Sequence, residues 1–134
     1  MGDIFFVRSA DHEILSTTSA NALLKLRELA THYSIDQIRG PDWSLITGRN
    51  SFTPYEIAHD DQGACAVIGS TYDRKRTKVP ELRASTLDHR KQVIREFSCR
   101  LNYGVVISIE DNDLLVAADH LGLYPVYHLQ TDKI

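Results

Sequence analysis

The chain has 134 residues, 43% apolar and 25% charged, which suffices for one globular domain with its own core and crowds out two. A net charge of -3 gives no general attraction to nucleic acid or an anionic membrane, and no stretch approaches the roughly 20 apolar residues that span a bilayer. The first ten residues lack a signal-peptide layout, and Phe6 stands where a myristoylation motif starting at Gly2 wants Ser or Thr, so the expected location is cytoplasmic.

Ile4, Phe5, Phe6 and Val7 are consecutive, the pattern of a strand covered on both faces, so Asp3 to Arg8 is expected at the centre of a sheet. Ala10 to His12 suggests a tight reversal into a short second strand, His12 to Leu15. Ser16, Thr17, Thr18 and Ser19 then offer N-cap oxygens ahead of Ala22, Leu23, Leu26, Leu29, Ala30 and Tyr33, which predicts a helix over about 18–32. Arg39-Gly40-Pro41-Asp42 stops any continuation.

Trp43 to Thr47 and Tyr55 to Ala58 read as short strands around a loop at Gly48-Arg49-Asn50-Ser51. Asp60-Asp61-Gln62-Gly63 reads as a hairpin turn feeding a buried strand, Ala64 to Gly69. Arg74 to Pro80 is a basic loop. Thr86 or Asp88 caps a second helix over about 87–101, with Val93, Ile94, Phe97 and Leu101 apolar, Arg90, Lys91, Arg95 and Glu96 wet, and Gly104 ending it. Val105 to Ile109 and Leu114 to Ala118 form a hairpin about Glu110-Asp111-Asn112-Asp113, and Val126-Tyr127 begins one more strand. Cys65 and Cys99 lie in apolar-patterned segments without zinc-ligand spacing and read as small buried hydrophobes. Periodicity alone gives an α+β fold.

Three stretches carry a resemblance. Ala117-x-Asp119-x-x-Gly122-x-x-Pro125-x-Tyr127 resembles the Ala-Arg-Asp-x-x-Gly-x-x-Pro-Leu-Tyr-Tyr that closes the N-terminal glutamine amidotransferase domain of asparagine synthetases, with Ala118 for the Arg and His128 for the last Tyr. Arg39-Gly40-Pro41-Asp42 resembles the His-Arg-Gly-Pro-Asp after that family's first long helix. Ile68-Gly69-Ser70-Thr71-Tyr72-Asp73 resembles its Asn-Gly-Glu-Ile-Tyr-Asn, with Gly69 and Tyr72 matching. The resemblance implies an αββα sandwich of antiparallel sheets, the Ntn-hydrolase fold, over residues 1–134.

It also implies an inactive site. Active members begin Met-Cys-Gly-Ile-Phe-Gly-Val and use the Cys thiolate on glutamine; here Ile4, Phe5 and Val7 keep the register and Gly2 takes the nucleophile's place, with no side chain to form a thioester. Ile68 replaces the Asn whose amide would donate to the oxyanion. The segment that carries the family's acidic substrate-binding motif is shortened, with about thirty residues from Tyr72 to Gly104. The implied catalytic set is therefore empty, and Gly69, Tyr72, Asp119, Gly122, Pro125 and Tyr127 are expected to set structure.

β-Lactam synthetases and lasso-peptide macrolactam cyclases share this fold without the Cys and take their amine from the substrate. The chain accordingly resembles the non-catalytic domain of an ATP-dependent amide-forming ligase. ATP and magnesium would belong to a synthetase domain, since no Ser-Gly-Gly-x-Asp-Ser loop occurs here and no cofactor is implied for this domain. The alternative is a free-standing module that recruits a separately encoded synthetase partner or a peptide substrate through a sheet face or edge. A weaker third reading is a hydrolase with a relocated nucleophile, though no GxSxG elbow supports one.

Among six histidines, His59 beside Asp60 and Asp61, His89 beside Asp88, and His120 beside Asp119 are the metal candidates; adjacent strand residues face opposite ways, so no metal is expected. The run Arg74 to Lys78 and Arg49 are ordinary loop cations on this reading.

Overall fold

The computed structural model describes residues 2–61, 63–71, 86–110 and 113–127. They fall into two compact units, one built from the residues up to Thr53 and the other from Pro54–Tyr127. The expected features at Tyr72, Asp73, the basic run Arg74 to Lys78, Pro80 and His128 lie outside the described residues. The fold is α+β: two antiparallel sheets and two helices. No helix among the described residues is long and apolar enough to cross a membrane.

In the first unit, β1 (Gly2–Arg8), β2 (Ser34–Arg39) and β3 (Trp43–Arg49) form a sheet in the order β1-β3-β2. The apolar run of β1 therefore lies at an edge, not at the centre as its composition suggests, and its residues Ile4 to Arg8 are only half-buried. β3 takes the centre: every residue from Trp43 to Gly48 is buried, including Ser44 and Thr47. Its polar residues are tolerated because they find partners; Ser44 Oγ accepts from Gln37 Nε2 at 3.0 Å. β3 also runs through Gly48 and Arg49, which are strand rather than loop, and the reversal is made at Asn50, whose Oδ1 accepts from Phe52 N and Thr53 Oγ1.

Helix α1 (His12–Leu29) begins a turn and a half earlier than its apolar spacing predicts. Asp11 is the N-cap, its carboxylate accepting from Glu13 N and Ile14 N, so His12 to Leu15 is the first helical turn and not a strand. Ser16 to Ser19 are interior, and Ser19 returns its hydroxyl to Leu15 O at 2.7 Å. Leu15 and Ser19 are buried while Leu29 is 84% exposed, so the inward stripe starts earlier than expected and ends before Leu29. β2 follows where no strand is expected.

The second unit holds β4 (Tyr55–His59), β5 (Gly63–Thr71), β6 (Leu101–Glu110) and β7 (Asp113–Ala118) in sequential order, with helix α2 (Leu87–Ser98) on one face. Cys65, Val67 and Val106 from the sheet pack with Ile94, Phe97 and Leu101, and Leu115 and Ala117 lie against this cluster. Thr86 caps α2 as expected, with Oγ1 accepting from His89 N. Three expectations fail here. Arg90 is buried, not wet, because Asp113 Oδ2 lies 3.2 Å from its Nη2. Cys99 is an exposed helix C-cap rather than a core residue, because α2 stops at Ser98, short of 101. Gly104 belongs to β6 and not to the helix end.

Candidate functional site

In the first unit the antiparallel register sets Gly2 opposite Arg49, and Ser34 flanks Arg49 on the other side. The first position of β1 thus sits beside the cation that ends the central strand. Gly2 is buried and brings no side chain, so the first position of β1 sets no thiol or hydroxyl beside that guanidinium. Arg49 stood out in the sequence only as a loop cation, because the loop composition of Gly48-Arg49-Asn50-Ser51 concealed that the strand from Trp43 runs on through it. The Arg39-Gly40-Pro41-Asp42 turn explains itself locally. Asp42 Oδ2 meets Arg8 Nε at 3.0 Å, Asp42 O accepts from Ser9 N, and the Trp43 indole covers Gly40 so closely that a Cβ would lie 2.1 Å from Cε2.

The second unit brings together two stretches far apart in sequence. Gly69 on β5 lies opposite Gly104 on β6, with φ of +127° and +156°. A Cβ on Gly69 would stand 2.1 Å from Tyr103 O, and one on Gly104 2.3 Å from Ile68 O, so both positions need glycine for conformation and for space. Gly104 in turn holds the closing segment: its O accepts from Asp119 N at 3.0 Å, and its N–H reaches Asp119 Oδ2 at 3.4 Å. Asp119, 3% exposed, also accepts from Leu123 N and Tyr124 N at 2.9 Å, and its carbonyl accepts from Gly122 N. Gly122 turns at φ +68°. Tyr124 sets its ring 5.5 Å from that of Tyr103.

Burial pushes the Asp119 carboxyl up, but the N–H groups of Leu123, Tyr124 and Gly104 together outweigh it and hold it below the ordinary carboxylate range. An anion fixed by backbone donors is a turn-former and a poor proton carrier at neutral pH. Val126 and Tyr127 do not form a strand; Tyr127 is 91% exposed, and Pro125 is also exposed. Ile68 is 1% exposed in the ladder between Tyr55 and Val105, where it offers packing and no donor.

The histidine candidates stay apart from acidic clusters. His59 ends β4, and Asp60 beside it is used in the turn, accepting from Gly63 N and donating its own N–H to Gly63 O. His89 lies in the first turns of α2, and His120 is exposed in the closing turn. Among the described residues no three His, Cys, Asp or Glu side chains gather as metal ligands would. Comparison of the chain with protein-family models, curated proteins and solved structures finds no match.

Proposed function

We propose that this chain is a degenerate class II amidotransferase-like domain of Ntn-hydrolase architecture, serving without catalysis in an asparagine-synthetase-like, ATP-dependent amide-forming ligase of the macrolactam or β-lactam type. The observation that carries the reading is the convergence on Gly104: the Gly69 stretch pairs with it across the ladder, and the Asp119 turn is bonded to it from the other side. Two of the three resembling stretches therefore form one structural unit, and the third builds the turn between β2 and β3. Gly2 supports the silent part, since the position of the family's nucleophile brings no side chain to attack a glutamine amide.

The test is an ammonia-release assay with glutamine. The wild-type chain is expected to give none above background, and Gly2→Cys to stay far below an ordinary glutaminase, because Ile68 supplies no oxyanion donor. Normal turnover by Gly2→Cys overturns the account of the site, and ammonia release by the wild type overturns the silent domain. Co-purification with an ATP-pyrophosphatase protein is the positive expectation.

A second reading, a recruiting module, is favoured by the exposed apolar side chains of Leu114 and Val116 on β7 and of Leu121, Leu123, Val126 and Tyr127 just after it. It predicts that Val116→Lys abolishes partner co-purification while leaving the domain folded.

A further inference from the structure

The first turns of α1 carry an unusual polar stripe. His12, Leu15, Ser16 and Ser19 share one helical face at i, i+3, i+4 and i+7, and three of the four are polar where a sheet-packed helix is ordinarily apolar. Opposite them, Arg39 at the end of β2 and Ser44 on β3 are register partners and share a face of the sheet. Between the helix and this end of the sheet lies an open cavity of about 200 Å³, room for several groups the size of a water at ~30 Å³ each.

Its floor is buried and its mouth is wet. Leu15, Ser19 and Ser44 are 9%, 3% and 1% exposed, whereas His12, Ser16 and Arg39 are exposed. Ser44 Oγ accepts from Gln37, which leaves its own proton to donate, and the hydrogen bond of Arg39 is a long one, 3.4 Å to neutral Gln37 Oε1. Of the carboxylates near it in sequence, Asp11 is held by the helix N–H groups it caps and Asp42 by Arg8, and neither Glu13 nor Asp36 lines the cavity. Arg8, Lys25 and Arg90 each have an acidic partner, while Arg39 faces a cavity that no Asp or Glu lines.

We propose that this cavity is a binding site for a carboxylate, with Arg39 as counter-charge, His12 and the Ser44 hydroxyl as hydrogen-bond donors, and the Leu15, Pro41 and Trp43 side of the cavity covering a short apolar body. One guanidinium with neutral donors and apolar walls suits a singly charged carboxylate better than a phosphate dianion. The site stands independently of the family reading, since it uses none of the residues around Gly2, Ile68 or Asp119. The ligand is either a free short-chain acid or the C-terminal carboxylate of a peptide, which share this chemistry.

Nuclear magnetic resonance titration of the full chain tests it, with isobutyrate and N-acetylvaline as probes and N-acetylvalinamide and inorganic phosphate as controls. Both acids are expected to shift the His12 imidazole and Trp43 indole resonances saturably; the tighter of the two identifies the free acid or the peptide terminus as the source. Arg39→Gln is expected to weaken binding at least tenfold with the spectrum's dispersion kept. Should Arg39→Gln unfold the chain, Ser16→Leu, which fills the exposed mouth, is expected to give the same loss. The proposal is overturned if the acids give no saturable shift, if the amide or phosphate binds as well as the acids, or if a folded variant binds like the wild type.

Discussion

At Asp119, a carboxylate is shut from solvent yet stays ionised, because three backbone N–H groups stand where water would. Its folded pKa lies below the unfolded one, so the stabilisation is fully present above the ordinary carboxylate value near 4 and fades as the pH falls through the lowered folded value. Removing the acceptor strands those donors. Asp119→Ala is expected to cost about 2–3 kcal/mol in urea midpoint experiments at pH 7, and Asp119→Asn less. The difference between wild type and Asp119→Asn should shrink below pH 4; a difference that stayed constant would mean the charge plays no part. Gly69→Ala is expected to cost about 2–4 kcal/mol, because the added methyl meets Tyr103 O in a backbone conformation that L-residues avoid.

At the scale of elements, α1 and β2 show what composition conceals. Four hydroxyl residues, Ser16 to Ser19, advertised a helix start that Asp11 had already made, and the helix took the adjoining apolar Ile14 and Leu15 into its first turns. Asp11→Ala is therefore expected to lower thermal stability by about 1 kcal/mol, with Thr17→Ala near neutral; the reverse would restore the later start. β2 was illegible because its inward positions include Gln37, whose side chain bonds to Ser44, so the period-2 pattern is written partly in polar letters. β1 misled in the opposite direction: four consecutive apolar residues fit an edge strand as well as a central one. The second unit was far more legible. The Asp60 turn and the Thr86 cap are set by local residue chemistry, whereas the Gly69–Gly104–Asp119 junction needed strand pairing across a long span: the motif around Asp119 marked a turn, and nothing in it named Gly104 as the partner.

For the whole molecule, protection should follow sheet position and not hydrophobicity. The amides of Leu45, Ile46, Val67 and Val106, on strands paired at both sides, are expected to exchange slowest in heavy water. Those of β1 should exchange faster despite Ile4, Phe5, Phe6 and Val7; equal protection would return β1 to the middle of its sheet. The placement of the two cysteines gives each unit's chemistry a further use. Cys99 stands exposed at the end of α2 while Cys65 lies among Val67, Ile94, Phe97 and Val106, so a maleimide should modify the first within the native protein and reach the second only when the sheet opens. With Cys99 blocked beforehand, the rate at which Cys65 takes up label becomes a clock for unfolding of the second unit, readable by mass alone.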